Sequence, residues 1–215
     1  MNALPARLKA SGGASRSATA WKVGLLVLIV AATTTAAASA GELRIEVDPA
    51  RTTIAFTLKA TLHSVEGRAS LDSGWLVLDP LTGAAEGEIV IDATSAETGN
   101  HKRDEKMHTE VLLSALHPRI VVRPLRLEGE LQRTSASELT LVAEIVLAGA
   151  RHELRLPLAV EVAADTFLAR SEFTVPYVAW GLADPSTFVL RVAKEVVVVV
   201  EAAGHLLESG VPSPP

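Results

Sequence analysis

The sequence predicts an all-β domain of antiparallel strands with one short inserted helix. Three observations predict it. Apolar and polar residues alternate with period two over most of the chain, as in strands with one buried face. The alternating runs recur at roughly the 8–12-residue spacing of hairpin-connected sheets, with no room for long crossovers. In one stretch only, residues 94–118, alternation gives way to crowded charge and helical spacing. Eight or nine strands follow from this count of runs. A barrel and a sandwich both bury one face of every strand, so the pattern permits either.

Leu43, Ile45 and Val47 open the first strand, and Asp48-Pro49-Ala50 turns the chain. Ile54, Phe56 and Leu58 form the next inward face, opposite Thr53, Thr57 and Lys59. Val65, Ala69 and Leu71 follow, with Gly67 at a bulge or bend. Asp72-Ser73-Gly74 reads as a turn, and residues 75–79 as a separate strand that Pro80 closes. After Thr82-Gly83, residues 86–93 place Ile89, Ile91 and Ala93 on one face.

The helix comes next. Asn100 suits an N-cap, its side-chain oxygen accepting an orphan amide of the first turn. Asp104 and Glu105 then lie near the positive end of the helix dipole. Met107 and Val111 share a face, with Leu112 and Leu116 beside them. Pro118 ends the element, having no N–H and disfavouring helical backbone at His117.

A strand at 119–130 is interrupted by Pro124, which implies an edge or a bulge. Leu139, Leu141, Ala143, Ile145 and Leu147 alternate without a break. The chain turns at 148–150, and Leu154, Leu156, Leu158, Val160 and Val162 run back. Strands at 167–175 and 188–201 close the domain, and residues 205–215 read as a disordered tail.

Composition narrows the function. Apolar residues make up 48% of the chain, enough for a sizeable core, but aromatics only 4%, so aliphatic side chains line any interior. A net charge of −5 and a pI near 5.7 argue against a nucleic-acid partner. With no cysteine, disulfides, thiolate nucleophiles and Cys-ligated metals are excluded together.

The N-terminus speaks to compartment. Arg7, Lys9, Arg16 and Lys22 precede an apolar core at 23–32, and Ala38-Ser39-Ala40 stands before Gly41. That is the layout of a cleaved secretory signal peptide over residues 1–40, with a periplasmic or secreted product. An uncleaved anchor is the alternative, though the core is shorter than the ~20 residues of a spanning helix.

Catalytic patterns are sparse. His101, Asp104 and His108 fall at i, i+3 and i+7, with His63 as a remote fourth ligand for zinc. A polar helix face in water accounts for them better, and no metal site is assigned. Glu86, Glu88 and Asp92 read as a solvated strand face rather than an acid–base pair. No Gly-x-Ser-x-Gly elbow or phosphate loop occurs, so no catalytic residue is assigned.

A resemblance joins these parts. Ser95, Thr98-Gly99-Asn100, Arg103-Asp104, Met107-His108 and His117-Pro118 resemble the signature of the YceI-like, polyisoprenoid-binding family. Leu147-Ala148-Gly149-Ala150-Arg151-His152 is similar to its glycine hairpin, with Ala148 where a histidine is usual. The segment 175–186, holding Trp180-Gly181-Leu182, is similar to its C-terminal motif. The likeness covers residues 41–204.

It implies one lipocalin-like barrel holding a long apolar chain, without cofactor and without enzymatic activity. The ligand would be an isoprenoid or other long-chain lipid. Transient membrane contact is compatible with that, and oligomeric state is left open. Ile54, Phe56, Leu58, Ile89, Ile91, Leu141 and Phe173 would then meet the ligand from the wall. Met107 and Val111 would meet it from the helix, and Tyr177 and Trp180 from the last motif. Either aromatic could instead plug the barrel end as core, which suits Trp180 better. Asn100, Arg103, Asp104 and His108 form the structural motif, with Arg103 tying the helix to the barrel rim. The runner-up is a barrel with a filled core, serving as a structural or interaction module of the cell envelope.

Overall fold

The computed structural model describes residues 41–61, 63–133, 135–186 and 191–208. The expected leader and residues 209–215 of the expected tail lie outside them. Among the described residues there are nine strands: β1 (Leu43–Val47), β2 (Thr53–Lys59), β3 (Ser64–Leu78), β4 (Ala85–Glu97), β5 (Arg119–Glu128), β6 (Ser137–Leu147), β7 (Ala150–Ala163), β8 (Thr166–Val175) and β9 (Val196–Glu208). The helix α1 (His101–Lys106) continues into a π-helical turn, Met107–Val111, between β4 and β5.

All pairings between strands are antiparallel, and β3–β4 pairing closes the sheet into a barrel. Eight positions go round it, because β1 and β2 share one. Both lie between β3 and β9, with β1 against Trp75–Leu78 and β2 against Ser64–Ala69 and likewise on successive parts of β9. The break between them is the 3-10 turn Pro49–Arg51, capped by the Asp48 carboxylate accepting from Ala50 N at 2.9 Å. Asp48-Pro49-Ala50 therefore turns the chain without reversing it.

Three irregularities in the ladders keep leucines inward and charges outward. Along β3 the apolar phase runs through Val65, Ala69 and Leu71, then shifts to Leu76 and Leu78. The shift is a one-residue bulge: Leu71 pairs with Ile91 and Ser73 with Val90. The turn expected at Asp72-Ser73-Gly74 is thus a bulge within one 15-residue strand. Here the ladder to β4 held turn-forming residues in extended conformation. In β5, Pro124 pairs with Ala143 and Arg126 with Val142, leaving Leu125 extra and 47% exposed. Without that bulge Arg126 would face the interior and Leu127 the solvent; the expected bulge at Pro124 is observed. The third lies in β4, where Arg68 pairs with Glu97 but Ser70 with Asp92. Ser95 fills that gap, its Oγ accepting from Ser70 N at 2.8 Å and donating to Asp92 O at 2.6 Å.

Gly67 carries no bulge in its pairing with β2. It sits directly opposite Phe56, whose ring covers it so closely that a Cβ there would lie 2.3 Å from the ring. The last strand also differs from expectation. β9 starts at Val196, and residues 188–190 of the expected 188–201 strand lie outside the described residues. It runs on to Glu208, so His205–Glu208 pair with β1 instead of joining a tail, and Leu206 is buried. The valine run made 188–201 look like the strand, while Gly204 hid its continuation.

Candidate functional site

The two ends of the barrel differ. At one end Leu43, Leu78, Leu139, Val160, Val162, Phe167 and Leu206 pack into a closed floor. At the other lie α1, the β2–β3 turn, the β6–β7 turn and the segment after β8. Between floor and α1 is a cavity of about 800 Å³, within the usual range for small-molecule sites. Val, Leu, Ile, Phe and Ala side chains make almost all of its wall, as the low aromatic content requires.

Every side chain expected to meet a ligand lies on this cavity. Ile54, Phe56 and Leu58 reach it from β2, and Ile89 and Ile91 from β4. Leu141 and Phe173 reach it from β6 and β8, and Met107 and Val111 from the π-helical turn. Leu116, by contrast, is 76% exposed and shares no face with them. The helix ends sooner than its spacing suggested: Leu113 takes a left-handed backbone, φ 51°, and its carbonyl accepts from Leu116 N and His117 N.

Tyr177 and Trp180 also line the cavity, and both belong to the packed upper core. Trp180 stacks on His152 with ring centroids 4.2 Å apart and planes 2° from parallel. His152 Nε2 is buried without a hydrogen-bond partner. Tyr177 is buried and donates its hydroxyl to Ala193 O at 2.8 Å. Burial pushes its phenol up to about 12, with the nearby Asp184 charge adding to the rise. The fold therefore prefers neutral Tyr177. Its contribution is complete below an ordinary pKa of 10.0 and is lost as pH rises towards about 12. Tyr177 is the chain's one tyrosine. Phenolate absorbance should show a native midpoint near 12 and a denatured one near 10; a native midpoint near 10 would place the ring in water.

The expected structural motif meets at Thr98, just past β4. Asn100 caps α1, accepting from Arg103 N at 3.2 Å. The Arg103 guanidinium donates to Thr98 Oγ1 at 2.7 Å and Thr98 O at 2.9 Å. The Asp104 carboxylate accepts from Thr98 N at 2.9 Å and from the Thr98 hydroxyl. Both charges thus hold the helix to the end of β4. His108 faces the buried Ser114 instead, with Nδ1 2.9 Å from Ser114 Oγ. Among the described residues no group of His, Asp and Glu is arranged to hold a metal. Glu86 is exposed, and Glu88 is half-buried and paired with Arg123 at 3.5 Å.

The hairpin motif packs on the same end. Ala148 and Gly149 form a two-residue turn with φ 47° and 81°. A Cβ on Gly149 would lie 2.7 Å from the His117 ring, so glycine, which also suits the positive φ, leaves room for that side chain against this turn. Sequence reading missed Lys102 and Lys106, which line the cavity from α1. A charge run on a short helix carries no mark that distinguishes a cavity rim from open solvent.

A profile of the YceI-like domain matches residues 46–203. The fold is similar to that of a polyisoprenoid binding domain from Saccharophagus degradans, with 16% sequence identity and a TM-score of 0.59 over 76% of this chain and 98% of that one. It is similar also to BcnA from Burkholderia cenocepacia, with 14% identity and a TM-score of 0.60 over 73% of this chain and 98% of the other. At such identities the likeness is one of fold. No curated protein matches the chain.

Proposed function

The chain belongs to the YceI-like domain family, and from that membership and its hollow interior we propose that it binds a long apolar chain, isoprenoid or fatty-acyl. The observation that carries the reading is the aliphatic cavity of about 800 Å³ above a packed floor. Such a space favours a ligand through transfer of apolar surface out of water. At about 0.8 kcal/mol per buried CH₂, some twenty carbons gain on the order of 16 kcal/mol before costs. Loss of ligand freedom offsets much of that. Cavity length and width then set selectivity. The same hollow supports this reading over a filled structural barrel.

The leader-like N-terminus supports an exported protein, periplasmic or secreted. Native mass spectrometry of protein purified from the exported fraction tests both parts. The expected spectrum shows a co-purified isoprenoid or acyl mass on a chain beginning near Gly41. Only ligand-free protein, which also failed to take up added prenol, would count against lipid binding. A chain retaining the first 22 residues would count against cleavage.

Entry of a long chain needs one element that moves. Strands bonded on both sides are poor candidates, whereas α1 and its π-helical turn are held by few contacts. The Arg103 bonds to Thr98 are half of the tether, beside those of Asp104, so Arg103→Ala should cost about 1–2 kcal/mol and speed lipid exchange. Stopped-flow transfer of a fluorescent prenyl probe, run beside thermal melting, checks this. Unchanged transfer with lowered stability would make α1 a fixed plug.

A further inference from the structure

The charges on the cavity are one-sided. Among the described residues its lining includes Lys102, Arg103 and Lys106 and no aspartate or glutamate. All three cations come from α1, at the end away from the floor. The chain as a whole is acidic, at −5, so net charge does not account for the bias.

The three cations are not equivalent. Arg103 is occupied by Thr98. Lys106 donates weakly to Pro185 O at 3.4 Å and lies 3.6 Å from Glu110, with its side chain 39% exposed. Glu110 is itself off the cavity wall. Lys102 is exposed, with no hydrogen bond or ion pair among the described residues. The two lysines stand four residues apart, on one side of the helix. The cavity wall also includes Asn100 from the helix cap and His63 from the β2–β3 turn. The site is thus apolar along its length and cationic at one end. A neutral-headed lipid would leave that end without a partner.

We propose that the cavity selects amphiphiles with an anionic head, phosphate or carboxylate, which lies against Lys102 and Lys106 while the chain runs towards the floor. This rests on the lipid-binding reading and narrows it to a ligand class. Lysine ammoniums form charge-assisted hydrogen bonds with such oxygens, and the apolar wall beside them weakens competition from water. Arg103 serves as the anchor of the helix that presents the lysines.

The test compares heads on matched chains: geranylgeranyl phosphate, geranylgeranoic acid and geranylgeraniol, each displacing a neutral fluorescent prenyl probe from the full chain. At low salt the two anions should bind roughly tenfold or more tightly than the alcohol, with the advantage falling as salt rises. The ratio of phosphate to carboxylate identifies which head is preferred. In the Lys102→Gln, Lys106→Gln double variant the anions should fall to the alcohol's affinity, which itself stays unchanged. Unaltered circular dichroism and alcohol binding show that this variant is folded. Equal binding of all three by the parent protein overturns the anionic head and leaves lipid binding intact. A preference that survives in the double variant overturns the role of the lysines. Failure of all three to bind removes the lipid reading and this inference together.

Discussion

Leu141→Asp is expected to abolish the fold or bring it to the edge of stability, and ligand binding with it. Leu141 is 6% exposed, paired with Leu127 and Leu156, and sits in the upper core cluster. An aspartate there loses the leucine's burial and sets a charge among side chains that offer it no hydrogen bond. The cost is about 4 kcal/mol or more, a large part of the 5–15 kcal/mol typical of a domain. Leu125→Asp makes the same chemical change at the exposed bulge of β5 and should move stability by no more than ~0.5 kcal/mol. Urea melts of the two variants supply the comparison. A Leu141→Asp protein as stable as the parent would show that β6 faces the other way.

Ala69→Phe should do the opposite, removing binding while sparing the fold. Ala69 lies on the cavity in β3, opposite Ile54, and is half-buried although it points into a closed barrel. Its remaining exposure is to the hollow. A phenyl ring placed there fills space a chain would occupy and buries apolar surface of its own. Affinity for a C20 prenyl ligand should fall by ~100-fold or more, about 2.7 kcal/mol, with melting temperature unchanged or raised. In a filled barrel the same ring would overpack, costing about 1–3 kcal/mol. Binding and melting together therefore separate the hollow from the filled interior. A variant that binds like the parent would show that the ligand does not pass Ala69.

Much of this architecture was legible where local and global preferences agree. β6 and β7 pair in unbroken register from Ser137 opposite Val160 to Leu147 opposite Ala150, as their continuous alternation implied. Asn100 was readable as a cap because capping is local chemistry. Errors fell where the sheet overrode local signals. Asp72-Ser73-Gly74 has the composition of a turn, yet bonding to β1, β2 and β4 along β3 keeps it extended. The inward side chains were readable from phase alone. The cationic rim was not, since the positions of Lys102 and Lys106 depend on how the Arg103–Asp104–Thr98 contacts seat the helix over the barrel.

The shared position of β1 and β2 has a consequence for how the molecule comes into being. Both pair with β9, so Leu43 meets Glu208 across almost the whole domain sequence. The strands from β3 to β8 can zip as successive neighbours, but β1 and β2 keep an open edge until β9 arrives. Contacts so distant in sequence slow folding, and unpaired edges invite association with other chains. Whatever process delivers this polypeptide from its N-terminus, an unclosed trough precedes the barrel, and truncation before Val196 would leave β1, β2 and β8 each with a bare flank. The 13 residues of β9 decide when an enclosed cavity first exists.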